Sequence, residues 1–210
     1  MLRYIYGRDL GRYPRLRESM FKDRAAQFRD RLGWEVTVDA SGAERDAYDA
    51  LNPIYVIWEE ADGGHGGSMR FLPTTGPTMV ADHFLSLTNG VDFASPYIWE
   101  TTRFCLAPGA ARRVSAALML GGLELGLHHD LSHAIGVFDA RMVRVYRILG
   151  WPPAILGTVG QGAEAISAGL WAFEEELRPA LLSRAQVSAQ TSRAWLLRAV
   201  AEREMVAGTA

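Results

Sequence analysis

Between Tyr97 and Leu106 the chain reads as a strand of buried character, yet the run Glu100-Thr101-Thr102-Arg103-Phe104-Cys105 sets an acid three residues before a base. Side chains alternate faces along an extended strand. Glu100 and Thr102 are therefore expected on one face, and Trp99, Thr101, Arg103 and Cys105 on the other. Both faces are then partly polar. A buried charge is costly unless it is paired or hydrogen-bonded, so the fold has to bring partners to this strand. The run reads either as a structural ion pair or as the border of a site, and by itself it leaves both open.

The segments on either side alternate between helical and strand-like patterns. After a short strand at Leu2 to Tyr6, Pro14 opens a helix on which Leu16, Met20, Phe21, Ala25, Phe28 and Leu32 recur at helical spacing until Gly33 stops it. Residues 35–52 are polar and irregular. Ile54 to Trp58 and Met69 to Leu72 read as a hairpin turned at Gly63-Gly64-His65-Gly66-Gly67. No helix follows that glycine-rich turn, which removes a phosphate-cradling reading. A short helix is expected over Met79 to Leu87, a small-residue helix over Ala110 to Leu127, a strand over Ala134 to Phe138 and a basic helix over Ala140 to Leu149. Beyond Trp151-Pro152-Pro153 come a strand near Ala165 to Phe173 and one C-terminal helix from about Glu174, whose last residues are expected to fray. Interleaved elements without repeats or linkers predict one α/β (α+β) domain over residues 1–210, a three-layer sandwich with a mixed twisted sheet flanked by helices.

Of the 210 residues 49% are hydrophobic, enough for one core, and the net charge is -2. That balance gives no support for a nucleic-acid partner or a membrane surface, and no apolar run is long enough to span a bilayer. A cytoplasmic protein is expected. The single cysteine, Cys105, excludes an internal disulfide and reads as a small buried hydrophobe. Lys22 is the lone lysine, so arginine carries the basic charge and planar recognition of carboxylate or phosphate stays open.

Several groups could carry chemistry, each with a plainer alternative. Arg24 and Phe28 share a helix face with Trp34 just beyond, a setting for a sulfonium, an adenine or a carboxylate, or simply for core packing. Asp46 and Asp49 sit in a loop, where they could bind an ammonium or merely be solvated. Arg70 is a lone cation in an apolar strand and needs an acid. The cluster His128, His129, Asp130 and His133 lacks a clear ligand geometry, so no metal is assigned. Arg141, Arg144 and Arg147 recur every third residue and form either a solvated face or a docking face for an acidic partner.

Taken in order, Arg24, Phe28, Trp34, Asp46, Asp49, Arg70, Phe84, Glu100 and Arg103, with the strings Gly67 to Pro77 and Trp99 to Cys105, resemble the acyl-homoserine lactone synthase family of bacterial quorum sensing. The resemblance runs from about Arg24 to Trp151. It implies a fold similar to that of the N-acetyltransferases, with a cleft where two strands splay apart. It also implies two substrates: an acyl thioester on acyl carrier protein, or in some members on coenzyme A, and S-adenosylmethionine, which is a substrate and leaves no separate cofactor. Methylthioadenosine and the free carrier would be released.

In that reading Glu100 is the general base for the ammonium, while strand N–H groups or the Thr102 hydroxyl meet the oxyanion. Arg24, Arg103, Asp46 and Asp49 would hold S-adenosylmethionine, Phe28 and Trp34 would close over its adenosyl group, and Arg70 and Phe84 would support them. Met79, Leu118, Met119, Phe138, Met142 and Leu170 are candidates for an acyl pocket, and Arg141, Arg144 and Arg147 for carrier docking. Two departures from the family pattern stand out. Phe138-Asp139 replaces a threonine common where 3-oxoacyl chains are favoured, which argues against a 3-oxo product, and Thr102 stands where serine is common. The rivals are an acyl-coenzyme A-dependent N-acyltransferase acting on another amine, and a catalytically inactive binding module. The first would carry a pyrophosphate loop before the central helix that Pro108-Gly109-Ala110-Ala111-Arg112-Arg113 does not match. The second would lack a site residue, and none is missing.

Overall fold

The structure, a computed structural model, describes residues 1–207, so the expected fraying at the very end lies outside the described residues. Its frame is a seven-stranded sheet: β1 (Leu2–Tyr6), β2 (Ile54–Glu59), β3 (His65–Pro73), β4 (Ile98–Leu106), β5 (His133–Asp139), β6 (Ala154–Val159) and β7 (Ile166–Ala172), in the order β1-β2-β3-β4-β5-β7-β6. Every neighbouring pair is antiparallel except β4 and β5. The helices are α1 (Pro14–Ala25), α2 (Met79–His83), α3 (Arg112–His128), α4 (Ala140–Leu149), α5 (Arg178–Ala185) and α6 (Ala189–Ala207). Among the described residues no helix is long and apolar enough to cross a membrane.

Both faces of the sheet are covered, which explains the unbroken apolar run of β2. Ile54, Val56 and Trp58 face a core shared with α3, α4 and α5, while Tyr55 and Ile57 face a second cluster with Leu16, Met20 and Phe21 of α1. The three-layer expectation is met. In α3, Gly121 lets the helix lie on Val56 and Leu2, since a Cβ there would come within 2.6 Å of the valine side chain.

Several element boundaries differ from expectation. The first helix widens after Ala25 into a π-turn over Ala26–Arg31, with Leu32 N–H donating to the Gln27 carbonyl. The hairpin tightens around Glu60 and Gly64, and Gly66 and Gly67 belong to β3 itself. The Met79 to Leu87 helix is two pieces, α2 and a 3-10 turn at Leu85–Thr88. β6 went unseen because its residues are mostly exposed and Gly157 interrupts any alternation. The C-terminal helix is likewise two, broken at Gln186, which has φ 55° and caps α5.

What positions the site is the seam between β4 and β5. They pair in parallel over only three residues, Ile98, Trp99 and Glu100 against His133, Ala134 and Ile135. Beyond that the strands part. Gly136 sits at the fork, where a Cβ would fall 2.6 Å from the Thr101 carbonyl oxygen, so a side chain there would wedge the strands apart.

Candidate active site

The fork opens into a cleft of about 570 Å³. Its walls come from the π-turn and the loop after it (Gln27, Phe28, Leu32, Trp34, Glu35, Val36), from Met79 and Phe84, from Glu100, Thr102, Arg103 and Phe104 of β4, and from Val137, Phe138, Asp139, Met142, Tyr146 and Ile166. A smaller cavity of about 40 Å³ lies deeper, between the sheet and α3. Thr102, Arg103, Phe104, Val137 and Tyr146 border both.

Arg103 departs from the alternation expected of its strand. Ser68 pairs with Cys105 and Arg70 with Thr102, so β4 carries one residue more than β3 across this step, and Arg103 absorbs it at φ 55°. The bulge turns Arg103 onto the face of Glu100 and Thr102. A non-glycine residue in the left-handed region is uncommon in mid-strand and here re-aims a guanidinium. Nη2 of Arg103 lies 3.0 Å from Glu44 and 2.8 Å from Asp46, and the group stands 5.3 Å from the centre of the Phe28 ring. Its Nε is buried and, among the described residues, has no hydrogen-bond partner.

Behind Arg103 lies a dense ion network. Arg24, fully buried, donates from Nε to Glu44 at 2.5 Å and from both terminal nitrogens to Asp49 at 2.9 Å. Arg70, also fully buried, donates to Thr102 Oγ1 at 3.0 Å, to Asp49 at 2.8 Å and to both oxygens of Asp46. Asp46 and Asp49 are not free loop carboxylates. Each accepts the other's backbone N–H, which opens the 3-10 turn Ala47–Leu51. Burial by itself pushes Asp49 up, but Arg24, then Arg70 and the Tyr55 hydroxyl, hold it well below the usual carboxylate range. The expected direct hold of Arg24 and Asp49 on a substrate therefore gives way to a supporting one: both are buried and fully engaged, and neither lines the cleft. Asp46, somewhat more open, bridges Arg70 and Arg103.

Glu100 has a different setting. It is 1% exposed and accepts from the N–H groups of Met79 at 3.1 Å and Val80 at 2.7 Å, at the start of α2. Burial raises its pKa to about 7, against the lowering pull of those two N–H groups and of Arg70. Such a carboxylate exchanges its proton near neutrality. Thr102, accepting from Arg70, keeps its own hydroxyl proton for another acceptor. Across the cleft Phe28 and Trp34 stack, centroids 5.3 Å apart and rings 12° from parallel, with Trp34 36% exposed.

The remaining sequence candidates divide. Phe84, Met79, Phe138 and Met142 line the cleft, and Met119 lines the inner cavity beside Phe71 and Trp171. Leu118 and Leu170 stand apart from both: Leu118 packs near Gly67, and Leu170 pairs with Ile135 and Ala154 in the sheet. Asp139 caps α4, accepting from Arg141 N–H at 2.9 Å. Arg141, Arg144 and Arg147 lie exposed along α4. His129 lies against Trp99, and among the described residues no three His, Cys, Asp or Glu side chains are placed to share a metal ion. Sequence reasoning missed Glu44, fully buried and shared by Arg24 and Arg103. The signal was there: two aspartates leave three arginines short of one acid.

A mixed sheet forked between two parallel strands is also the fold of a Lactobacillus plantarum protein assigned as an N-acetyltransferase, which superimposes with a TM-score of 0.54 at 13% identity, covering 82% of this chain and 99% of its own. Residues 11–180 match the autoinducer synthase family, and the chain belongs to it. An acyl-homoserine-lactone synthase of Rhizobium etli is 40% identical over 178 residues, which cover 81% of this chain and 84% of that protein. The crystal structure of the acyl-homoserine lactone synthase LasI superimposes with a TM-score of 0.76 at 27% identity, covering 87% of this chain and 94% of its own. BjaI, a coenzyme A-dependent acyl-homoserine lactone synthase solved with SAM and isopentyl-CoA, has a TM-score of 0.80 at 21% identity, covering 90% of each chain. The chain is thus an acyltransferase whose family makes acyl-homoserine lactones.

Proposed function

We propose that this enzyme N-acylates S-adenosylmethionine from an acyl carrier protein thioester and closes the product to the lactone, releasing methylthioadenosine. The observation that carries this reading is Glu100, a carboxylate of pKa about 7 in the wall of the cleft. Glu100 takes a proton from the substrate ammonium, directly or through one water, and the freed amine attacks the thioester carbonyl. The resulting oxyanion meets the Thr102 hydroxyl or the unpartnered Arg103 Nε–H, and its collapse expels the carrier thiolate. The substrate carboxylate then attacks its own γ-carbon, the carbon–sulfur bond breaks, and the neutral thioether leaves. That step needs orientation more than proton transfer.

Arg103 holds the carboxylate, kept in place by Glu44 and Asp46, with Arg24, Asp49 and Arg70 fixing those acids from behind. Trp34, backed by Phe28 and partly exposed, offers its outer ring face to the sulfonium or adenine. The acyl chain runs past Met79, Phe138 and Met142 toward the aromatic inner cavity at Met119. Arg141, Arg144 and Arg147 lie on the helix whose first turn borders the cleft, a suitable approach for an acidic carrier. BjaI keeps coenzyme A as the second donor to consider.

The deciding assay incubates the purified protein with S-adenosylmethionine and a panel of acyl carrier protein and acyl-coenzyme A thioesters, and quantifies methylthioadenosine and lactone by mass spectrometry. Equal yields of both products support the reading and name the donor and chain. Thioester consumed without methylthioadenosine would move the assignment to an N-acyltransferase using another amine.

A further inference from the structure

We propose that Tyr48 and Asp82 are positioning residues for Glu100, acting through the short helix that grips its carboxylate. This rests on the reading of Glu100 as the base. Both oxygens of Glu100 are held by α2, through Met79 N–H and Val80 N–H. A carboxylate fixed by two N–H groups of a five-residue helix is only as well placed as that helix, and one turn has little rigidity of its own. The Met79 sulfur accepts from Arg70 and Arg103 at 3.8 and 3.6 Å, and two oxygen-bearing side chains tether the helix more tightly. Thr78 caps it from within, accepting from Ala81 N–H at 3.2 Å, and Asp82 ties it to another element, accepting from the Tyr48 hydroxyl at 2.7 Å.

Tyr48 sits in the 3-10 turn opened by Asp46 and Asp49, is nearly fully buried, and lies 5.5 Å from the Arg70 guanidinium. One end of the Tyr48–Asp82 strut is thus anchored in the ion network and the other in the cradle of the base. His83 meets the Tyr48 ring edge-on, and of the charges around Glu100 Arg70 favours its ionised form while Asp46 opposes it. The strut's contribution is geometric: it keeps the two N–H groups at hydrogen-bond distance from Glu100.

The test compares Tyr48→Phe, Asp82→Ala and Asp82→Asn in the full chain, alone and with Glu100→Gln, by steady-state kinetics over pH. Tyr48→Phe keeps the ring against Arg70 and removes one hydroxyl, so the fold is retained and checked by circular dichroism. The expected result is a loss of kcat on the order of tenfold with little change in either KM. The acidic limb of the rate profile moves to higher pH, because Glu100 loses donors that favour its charged form. Asp82→Ala reproduces the loss, and Asp82→Asn, which keeps an acceptor oxygen, recovers most of it. In the Glu100→Gln background Tyr48→Phe adds nothing further. A parental kcat and pH limb in Tyr48→Phe, or an equal loss in both backgrounds, overturns the proposal. A parental rate and profile in Glu100→Gln itself overturns the base assignment instead, and the two failures are told apart by which single variant is silent.

Discussion

Behind the cleft, Glu44, Asp46 and Asp49 meet the guanidinium groups of Arg24, Arg70 and Arg103, whereas Glu100, three residues from Arg103 on the same strand, is gripped by two backbone N–H groups. All four acids lie largely out of water. Desolvation pushes every such carboxylate toward its neutral form, and the partners decide whether it stays there. In the network three guanidinium groups pair with three carboxylates, and the cluster serves as a rigid mount. Around Glu100 two N–H dipoles offset only part of the burial cost, and the carboxyl is left poised near pH 7. The same chemical group is scaffold at Glu44, Asp46 and Asp49 and, in the proposed mechanism, proton acceptor at Glu100.

The comparison breaks most severely if the mount loses a cation. Arg24→Leu leaves Glu44 and Asp49 buried without a principal partner and should cost about 3–5 kcal/mol, read by urea denaturation, with activity lost in proportion to the folded fraction. A loss below about 1 kcal/mol would show the network to be no scaffold. Glu100→Gln should fold, yet lower kcat by a factor on the order of 10²–10⁴ and abolish the rate limb near pH 7. An unchanged limb would assign that proton to another group.

The two regions should also respond to pH with opposite sign. Asp49, depressed in the folded state, contributes stability that is present above its unfolded pKa and is lost as pH falls through the folded value. Glu100 is raised from 4.5 to about 7, so the folded state binds the extra proton between those values and stability falls as pH rises through that window. Glu100→Gln removes this penalty. Its melting temperature should exceed the parent's at pH 8, by an amount corresponding to at most about 3 kcal/mol, and the gain should vanish near pH 4.5. A gain independent of pH would sink the titration argument. The smallest effect is expected at the outer wall, where Trp34→Ala removes a stacked ring worth about 0.5–1.5 kcal/mol and should raise the KM for S-adenosylmethionine about two- to tenfold with kcat little changed.

How far the sequence foretold this depends on whether local pattern or distant partners decide each element. α4 lies at Ala140–Leu149 as expected, and β2 and β5 fall within a residue or so of their apolar runs. β6 escaped because an exposed edge strand carries no alternation to read. At the site, the resemblance to a known family named the residues but not their depth. Arg24 and Asp49 read as substrate contacts and lie buried behind, while Glu44, the acid that Arg24 and Arg103 share, was passed over. Strand alternation places Arg103 on the opposite face, but alternation holds only for regular strands, and the bulge that reverses it arises from pairing with β3.

The short pairing of β4 with β5 has a mechanical consequence. Four strands lie on one side of that seam and three on the other, and within the sheet only the ladder at Ile98 to Glu100 joins them. Elsewhere in the sheet a force pulling neighbours apart is shared by longer ladders, five residues or more. Here it is concentrated on three. The sheet is therefore two longer-laddered halves joined along its shortest ladder, and the cleft opens where that ladder ends.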